Sequence, residues 1–499
     1  MGGESNKPMD FVDYYVMMGV PPSASEDELR QAYRTAARRF HPDVNKTSGA
    51  SVLFRDINAA YEILSDPHKR SEYDKVFHDR RRTAPGLQLE TFYSRRHLRQ
   101  ISEPQLLYVM LRIQPMLEIS LTTDAPLNLC LVIDRSKSMQ GARMQHVKAA
   151  AHRILDECKP SDIVSVVVFS DQAEVIVPAQ HPTDPRSMKT LISAIRADGA
   201  TSIVGALRSG LSQIERNRDT RYVNHLVLIT DGRTYGDEEE CLSLAARARE
   251  KGIGISGMGI GEDWNDKFLD ALASQTGGSS GYISNPESAV RFLHERVRSL
   301  ASAYAERASL IVATMPEVQI DSAVRVSPNA INLPTEPQPI ALGTLDGRLA
   351  TTVMLQFYVE TANVSLGEFY VGRVDVEGHV LGSDQRLERV IQDLTVEVTD
   401  QKVEDEPPPE LLDALSGVML YRLQDRAREA LEQGEIAEAT RKLEYLATRL
   451  FEKGEEELGQ AALYEARRVA YTHQLSEAGA KQLKYGTRAL WPTGEQEDD

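Results

Sequence analysis

The chain has 499 residues, 41% of them hydrophobic, which is enough for several domains with cores of their own. Its 74 acidic against 57 basic side chains leave a net charge of −17, which excludes a nucleic-acid footprint over the whole molecule. The three cysteines (Cys130, Cys158, Cys241) form no C-x-x-C pair, and no apolar run approaches the ~18 residues of a membrane span. Asn6 stands where a myristoylation start needs Ser or Thr. The expectation is a cytoplasmic protein with neither nucleic acid nor membrane among its partners.

Residues 8–80 read as a small all-helical unit. Ser25-Glu-Asp-Glu28 is a capping box that opens a helix. Leu29, Tyr33, Ala36, Ala37 and Phe40 line one face of that helix, and Arg30, Arg34 and Arg38 line the other. Pro42 forces His41 out of the α region and ends it. A second helix presents Leu53, Ile57, Tyr61 and Leu64, so the pair should hold His41-Pro42-Asp43 at its tip. With Asp13-Tyr-Tyr15, Ile57-Asn-Ala-Ala-Tyr61 and Arg70-Ser-Glu-Tyr-Asp74 around them, these pieces resemble the J-domain of DnaJ-type co-chaperones. The resemblance implies that His41, Pro42 and Asp43, with Arg30, Arg34 and Arg38, dock a DnaK-type chaperone ATPase and stimulate its ATP hydrolysis. Pro42 would fix the loop, and the arginines would speed encounter with an acidic surface.

Arg80-Arg-Arg82 and Thr83-Ala-Pro-Gly86 open an expected linker over 81–104. The Gly/Phe tract and zinc repeats of full-length DnaJ proteins are absent. Strand-like patterns follow over 105–125, including Leu117-Glu-Ile-Ser-Leu-Thr122, and again over 306–403. The economical reading is one β-sandwich interrupted by a domain over 126–305.

In that inserted domain, Leu127 to Ile133 is an almost unbroken apolar run, as in a strand buried on both faces of a parallel sheet. Ligands bind beyond the carboxyl ends of such strands, where Asp134, Ser136 and Ser138 offer hard oxygen donors suited to Mg²⁺. A second run, Val223 to Ile229, ends in Thr230-Asp231-Gly232, and Asp198-Gly-Ala-Thr201 opens a helix carrying Ile203, Leu207 and Leu211. Together these resemble the von Willebrand A (VWA) family and its metal-ion-dependent adhesion site. The resemblance implies that Asp134, Ser136, Ser138, Thr201 and Asp231 surround one divalent ion (Mg²⁺, or Mn²⁺ or Ca²⁺). A coordination position would remain for an acidic residue of a client protein. Arg135 and Lys137 put two cations in the loop, which would weaken metal binding or favour an acidic partner.

Two enzyme motifs are refused. Gly252-Ile-Gly-Ile-Ser-Gly257 places its glycines within a strand rather than in a strand-to-helix turn, and Gly277-Gly-Ser-Ser-Gly281 is entered from a helix. Residues 404–475 alternate helical patterns with Gly434 and Gly454 and predict a helical bundle packed on the sandwich. The tail 476–499 holds a basic amphipathic stretch, Lys481 to Trp491, suited to a partner or to a groove of the protein itself.

The expected fold is multidomain: an all-α J-domain, an α/β doubly wound VWA domain inserted in a β-sandwich, and a C-terminal α-helical bundle. The expected function is non-enzymatic, a co-chaperone adaptor that brings a DnaK-type ATPase to a metal-bound client. The VWA resemblance leaves open a substrate-recruiting subunit of a AAA+ (MoxR/chelatase-like) remodelling or metal-insertion complex.

Overall fold

The computed structural model describes residues 13–81, 86–115, 125–219, 221–232, 236–261, 263–283, 286–328, 330–381 and 387–490. They form two compact units, one of Met1–Thr123, Ala303–Ala323 and Leu333–Leu411, the other of Asp124–Ser302, Val324–Asn332 and Leu412–Asp499.

The first unit begins with helices Tyr14–Met18, Glu26–Phe40, Ser48–Leu64 and Pro67–Arg81. The capping box forms as expected: Glu28 N–H donates to Ser25 Oγ at 3.3 Å, and Ser25 N–H donates to Glu28 Oε2 at 2.7 Å. Leu29, Phe40, Leu53, Ile57 and Leu64 are buried between the helices. Each contributes on the order of 2 kcal/mol of hydrophobic stabilisation. Tyr33 stacks on Tyr61 with ring centroids 4.2 Å apart, which locks the two long helices in register.

The helices rest on a β-sandwich. One of its sheets sets Leu87–Tyr93, Gln105–Pro115, Thr351–Val359 and Val318–Ser327 side by side. The other runs Ile340–Asp346, Ala303–Thr314, Gly367–Val380, Leu387–Thr399 and His97–Arg99. The split sandwich is therefore present. The linker expected over 81–104 needs correction, because it carries the strands Leu87–Tyr93 and His97–Arg99. Leu87 and Tyr93 are buried at the two ends of the first, and seven consecutive residue pairs join it to Gln105–Pro115. The strand expected at Leu117 to Thr122 lies outside the described residues.

Helices and sandwich share one core. Ile311 and Ala313 belong to the same buried cluster as Phe40, Leu53 and Ile57. Phe40 meets Tyr370 edge-on at 6.4 Å, and the Arg39 guanidinium lies 4.0 Å above the Tyr370 ring. Arg373 Nη1 donates to Met17 O at 3.3 Å, and Arg389 Nη2 pairs with Asp56 at 3.1 Å. At Gly49 a Cβ would stand 2.3 Å from Val312 O, so only glycine permits this approach of helix to strand.

The second unit is built on a six-stranded sheet in the order Ala173–Gln180, Ile163–Phe169, Leu127–Asp134, Val223–Thr230, Gly254–Ile260, Ser280–Ile283. All neighbours are parallel except the first pair. Every residue of the three strands Leu127–Asp134, Ile163–Phe169 and Val223–Thr230 is buried, as their apolar sequences predict. From Leu127–Asp134 the chain goes first to one side of the sheet and later to the other. The strand order therefore reverses there, and a crevice opens at the carboxyl ends.

The C-terminal helices are Pro409–Glu432, Ile436–Glu452, Glu456–Thr472 and Glu477–Ala489. One expectation is corrected here. Residues 477–489, taken as a tail, form a helix, which packs on the α/β domain. Tyr485 lies against Trp264 and Tyr282, with centroids 5.7 and 6.1 Å away. Lys484 Nζ pairs with Asp270 at 2.8 Å, Arg488 Nη2 pairs with Asp270 at 2.5 Å, and Arg428 Nη1 pairs with Asp266 at 2.9 Å. The basic stretch thus fills a groove of its own protein. Among the described residues, no helix is long and apolar enough to cross a membrane.

Candidate metal centre and docking loop

In the first unit, the helix Glu26–Phe40 ends at His41, whose backbone (φ −62°, ψ 134°) turns the chain outward. The His41 ring packs edge-on against Phe54, with centroids 5.0 Å apart, and its Nδ1 accepts from Asp43 N–H at 3.2 Å. Pro42 and Asp43 project into solvent, and the Asp43 side chain is 89% exposed. Arg34 and Arg38 are exposed on the same helix, and no ion pair engages them among the described residues. Arg30 is exposed too, but it pairs with Glu26 at 2.6 Å on its own helix. Such an exposed pair is worth at most about 1 kcal/mol, so an acidic partner surface can compete for Arg30. All six expected docking residues therefore reach solvent on or next to one helix.

In the second unit, the carboxyl ends of Leu127–Asp134 and Val223–Thr230 bring distant oxygen atoms together. Ser136 N–H donates to Asp134 Oδ1 at 2.8 Å and closes the loop back on the strand end. The hydroxyls of Ser136 and Ser138 lie 3.0 Å apart, and Ser138 Oγ donates to Asp231 Oδ1 at 2.7 Å. Neighbouring loops fix this arrangement through their backbones. Asp198 N–H donates to Arg135 O at 2.7 Å, Lys137 N–H to Gly199 O at 3.2 Å, and Ser202 N–H to Ser170 O at 2.9 Å. Thr201 is thereby carried against Gly232, where its Oγ1 lies 3.0 Å from the place a Cβ would take. Among the described residues no hydrogen bond joins the Thr201 hydroxyl to the other four groups. Asp134 is thus bonded to Ser136, Ser136 and Ser138 lie against Asp231, and Thr201 borders the group.

Asp134 is fully buried, and burial pushes its carboxyl up to about 6. Hydrogen bonds from Thr230 and Ser136 pull it down, and the nearby Asp231 adds to the rise. Two buried carboxylates close together favour positive charge, of which Arg143 already supplies one to Asp231 at 2.6 Å. The donor set is oxygen alone, as a small hard cation prefers. No cluster of three or more His, Cys, Asp or Glu side chains suits a metal among the described residues, so any ion held here depends on the serine and threonine hydroxyls. The residues present fit a divalent ion of the Mg²⁺ class.

Two neighbours were not singled out by the motif. Thr230 Oγ1 donates to Asp134 Oδ2 at 2.7 Å and accepts from Gly232 N–H at 3.1 Å, which ties the ends of two strands together. Its place just before Asp231, at the end of an apolar run, was the available signal. Arg143 Nη1 donates to Asp231 Oδ2 at 2.6 Å and to Ser138 O at 3.3 Å. Arg135, suspected from its place in the loop, turns instead to Glu174 at 3.0 Å.

Comparison with known proteins identifies the domains that carry these residues. Residues 13–74 match the DnaJ domain, residues 128–295 match the von Willebrand factor type A domain, and residues 409–492 match the Sll0103-like C-terminal alpha-helical domain. The chain thus carries a J-domain and a VWA domain. It is 28% identical over 259 residues to an uncharacterised protein, sll0103, of Synechocystis sp., covering 50% of this chain and 61% of that one. It is 53% identical over 74 residues to the chaperone protein DnaJ of Roseiflexus sp., covering 15% and 20%. The chain therefore spans less than two thirds of these curated relatives. Among solved structures, a von Willebrand factor type A protein from Catenulispora acidiphila superposes with a TM-score of 0.61 at 18% identity, covering 81% of this chain and 97% of that one. The ArnB paralog VWA2 from Sulfolobus acidocaldarius does so with a TM-score of 0.50 at 14% identity, covering 82% and 100%. At such identities the likeness is one of fold.

Proposed function

We propose that the protein is a non-enzymatic co-chaperone that calls a DnaK-type ATPase to a client held by its VWA domain. The observation that carries this reading is the exposure of His41, Pro42 and Asp43 at a helix tip beside Arg34 and Arg38, within residues that match a DnaJ domain. His41 and Asp43 offer a ring nitrogen and a carboxylate to the ATPase, and the arginines draw in an acidic surface. On the other unit, Asp134, Ser136, Ser138 and Asp231, bordered by Thr201, would hold a divalent ion. A bound ion of this kind supplies an electrophilic seat for a carboxylate. The protein's own side chains orient that seat, with Thr230 and Ser136 N–H fixing the Asp134 carboxylate.

The test is ATPase stimulation of a DnaK-type chaperone by the full chain. His41→Gln should abolish it, and retained stimulation would refute the docking role. In parallel, capture of protein partners in Mg²⁺ should be lost in EDTA and in Asp134→Ala. Capture indifferent to both would refute metal-dependent client binding.

A further inference from the structure

We infer that Arg143 is a resident cation of the VWA site, one that competes with the divalent ion for Asp231 and so sets how tightly that ion is held. The inference rests on the metal reading above and adds a determinant of its strength.

The Asp231 side chain is wholly buried, so each of its oxygens needs a partner inside the protein. Ser138 Oγ serves Oδ1, and the Arg143 guanidinium serves Oδ2 at 2.6 Å. Arg143 stands in the first turn of helix Ala142–Glu157, directly after Gly141 (φ +78°) has turned the chain away from the Asp134 loop. Its Nη1 also donates to Ser138 O at 3.3 Å, so one guanidinium touches two of the residues that would surround the ion. The guanidinium lies against bare backbone at Gly261 (φ +71°), where a Cβ would fall 2.7 Å from Arg143 Nη2 and the side chain would have to shift. Of the two cations in the Asp134 loop, Arg135 is paired with Glu174 at 3.0 Å and Lys137 is exposed to solvent, and among the described residues neither pairs with Asp231.

A divalent ion entering among Asp134, Ser136, Ser138 and Asp231 meets this guanidinium across a single carboxylate. Like charges at that range oppose one another, and one unit charge there is worth roughly tenfold or more in an equilibrium. The Arg143 side chain is 32% exposed, so it has a path to solvent when the ion takes its carboxylate. Arg143 thus keeps the buried acid satisfied without metal, at the expense of affinity for metal.

The experiment measures Mn²⁺ alone binding to the full-length chain, by the loss of free Mn²⁺ signal in electron paramagnetic resonance. Arg143→Gln should bind roughly tenfold more tightly than the parent. Arg143→Lys, which keeps the charge, should stay close to the parent. Asp231→Asn, placed in both backgrounds, should remove the binding and so identify the site. The rise in melting temperature on adding Mn²⁺ should also be larger in Arg143→Gln, because its buried Asp231 lacks a counter-ion until metal arrives. Unchanged or weaker Mn²⁺ binding by a folded Arg143→Gln would overturn the inference while leaving the metal reading intact. No Mn²⁺ binding by parent or variant would overturn the metal reading itself and the inference with it.

Discussion

The side-chain amide of Asn45 donates to the carbonyl oxygen of Thr314 at 2.7 Å, fastening the residue two places after Asp43 to a strand of the sandwich. Asn45 is fully buried. Its Nδ2 also donates to Arg39 O at 3.1 Å, and its Oδ1 accepts from Thr47 N–H at 3.1 Å and Thr47 Oγ1 at 2.8 Å. One side chain therefore sets the path of the His41-Pro42-Asp43 loop and anchors it to the β-structure beneath.

Asn45→Ala should leave the Arg39 and Thr314 carbonyls without this donor, at about 1–3 kcal/mol for each buried group left unpaired. The expected outcome is a less stable chain with faster amide exchange over residues 41–47, read by hydrogen–deuterium exchange. Protection equal to the parent's would show that the loop does not depend on this anchor.

A stronger dependence is expected at Arg389, which is 5% exposed and holds the fully buried Asp375, with Asp56 on its outer side at 3.1 Å. Burial raises the Asp375 carboxyl, and the guanidinium pulls it back. Arg389→Met abandons a buried charge and should cost about 3–5 kcal/mol. Asp56→Ala removes only a partly exposed partner and should cost about 1 kcal/mol or less. Urea unfolding of the two variants measures the contrast, and equal losses would contradict it.

Acid should loosen the final helix from the α/β domain. Burial would raise Asp266 and Asp270, but Arg428 and Lys484 at the first, and Arg488 and Lys484 at the second, more than offset it and hold both carboxyls well below the ordinary range. A carboxyl lowered in the folded state contributes stability above its unfolded value, near 3.9, and loses it as pH falls from there toward the folded value. The near-ultraviolet circular dichroism of the Trp264, Tyr282 and Tyr485 cluster should hold at about pH 5 and decline as the pH drops below about 4. In Asp266→Asn/Asp270→Asn that decline should flatten, because the titrating groups are gone. A decline of unchanged size in the double variant would assign the acid response elsewhere.

Thr230→Val keeps the shape of a buried side chain and deletes the hydroxyl that donates to Asp134 Oδ2. Losing a hydrogen bond to a charged group costs about 1.5–3 kcal/mol. Mg²⁺ affinity, measured by isothermal titration calorimetry, should fall by roughly tenfold or more as the carboxylate loses its orientation. Affinity equal to the parent's would show that Asp134 is held by the loop alone.

The features legible in the sequence were those set by local spacing. The capping box at Ser25 and Glu28, the arginines at 30, 34 and 38, and the apolar run into Asp134 each announce themselves within a few residues, and the structure places them accordingly. Side-chain destinations were harder to read. Arg135 and Arg143 differ by eight positions and carry equal charge, yet one reaches Glu174 and the other Asp231, because the turn at Gly141 decides which side chain faces the buried acid. The strand Leu87–Tyr93 was hidden by the Arg and Pro-Gly signals just before it. Its buried ends, Leu87 and Tyr93, are six residues apart and so fall on one face at period two, a weak signal in seven residues. The docking of residues 477–489 depends on Asp266 and Asp270, more than 200 positions earlier, and no local pattern encodes such a pairing.

The narrow fit of Gly49 against Val312 O bears on how a recruited ATPase would be aimed. A J-domain on a loose string samples every bearing and delivers its partner at random. Here a missing methyl group lets the helices seat flush on the sheet, so a motor bound at His41 would inherit one compass heading from the platform below. Its aim would then be set by a hydrogen atom.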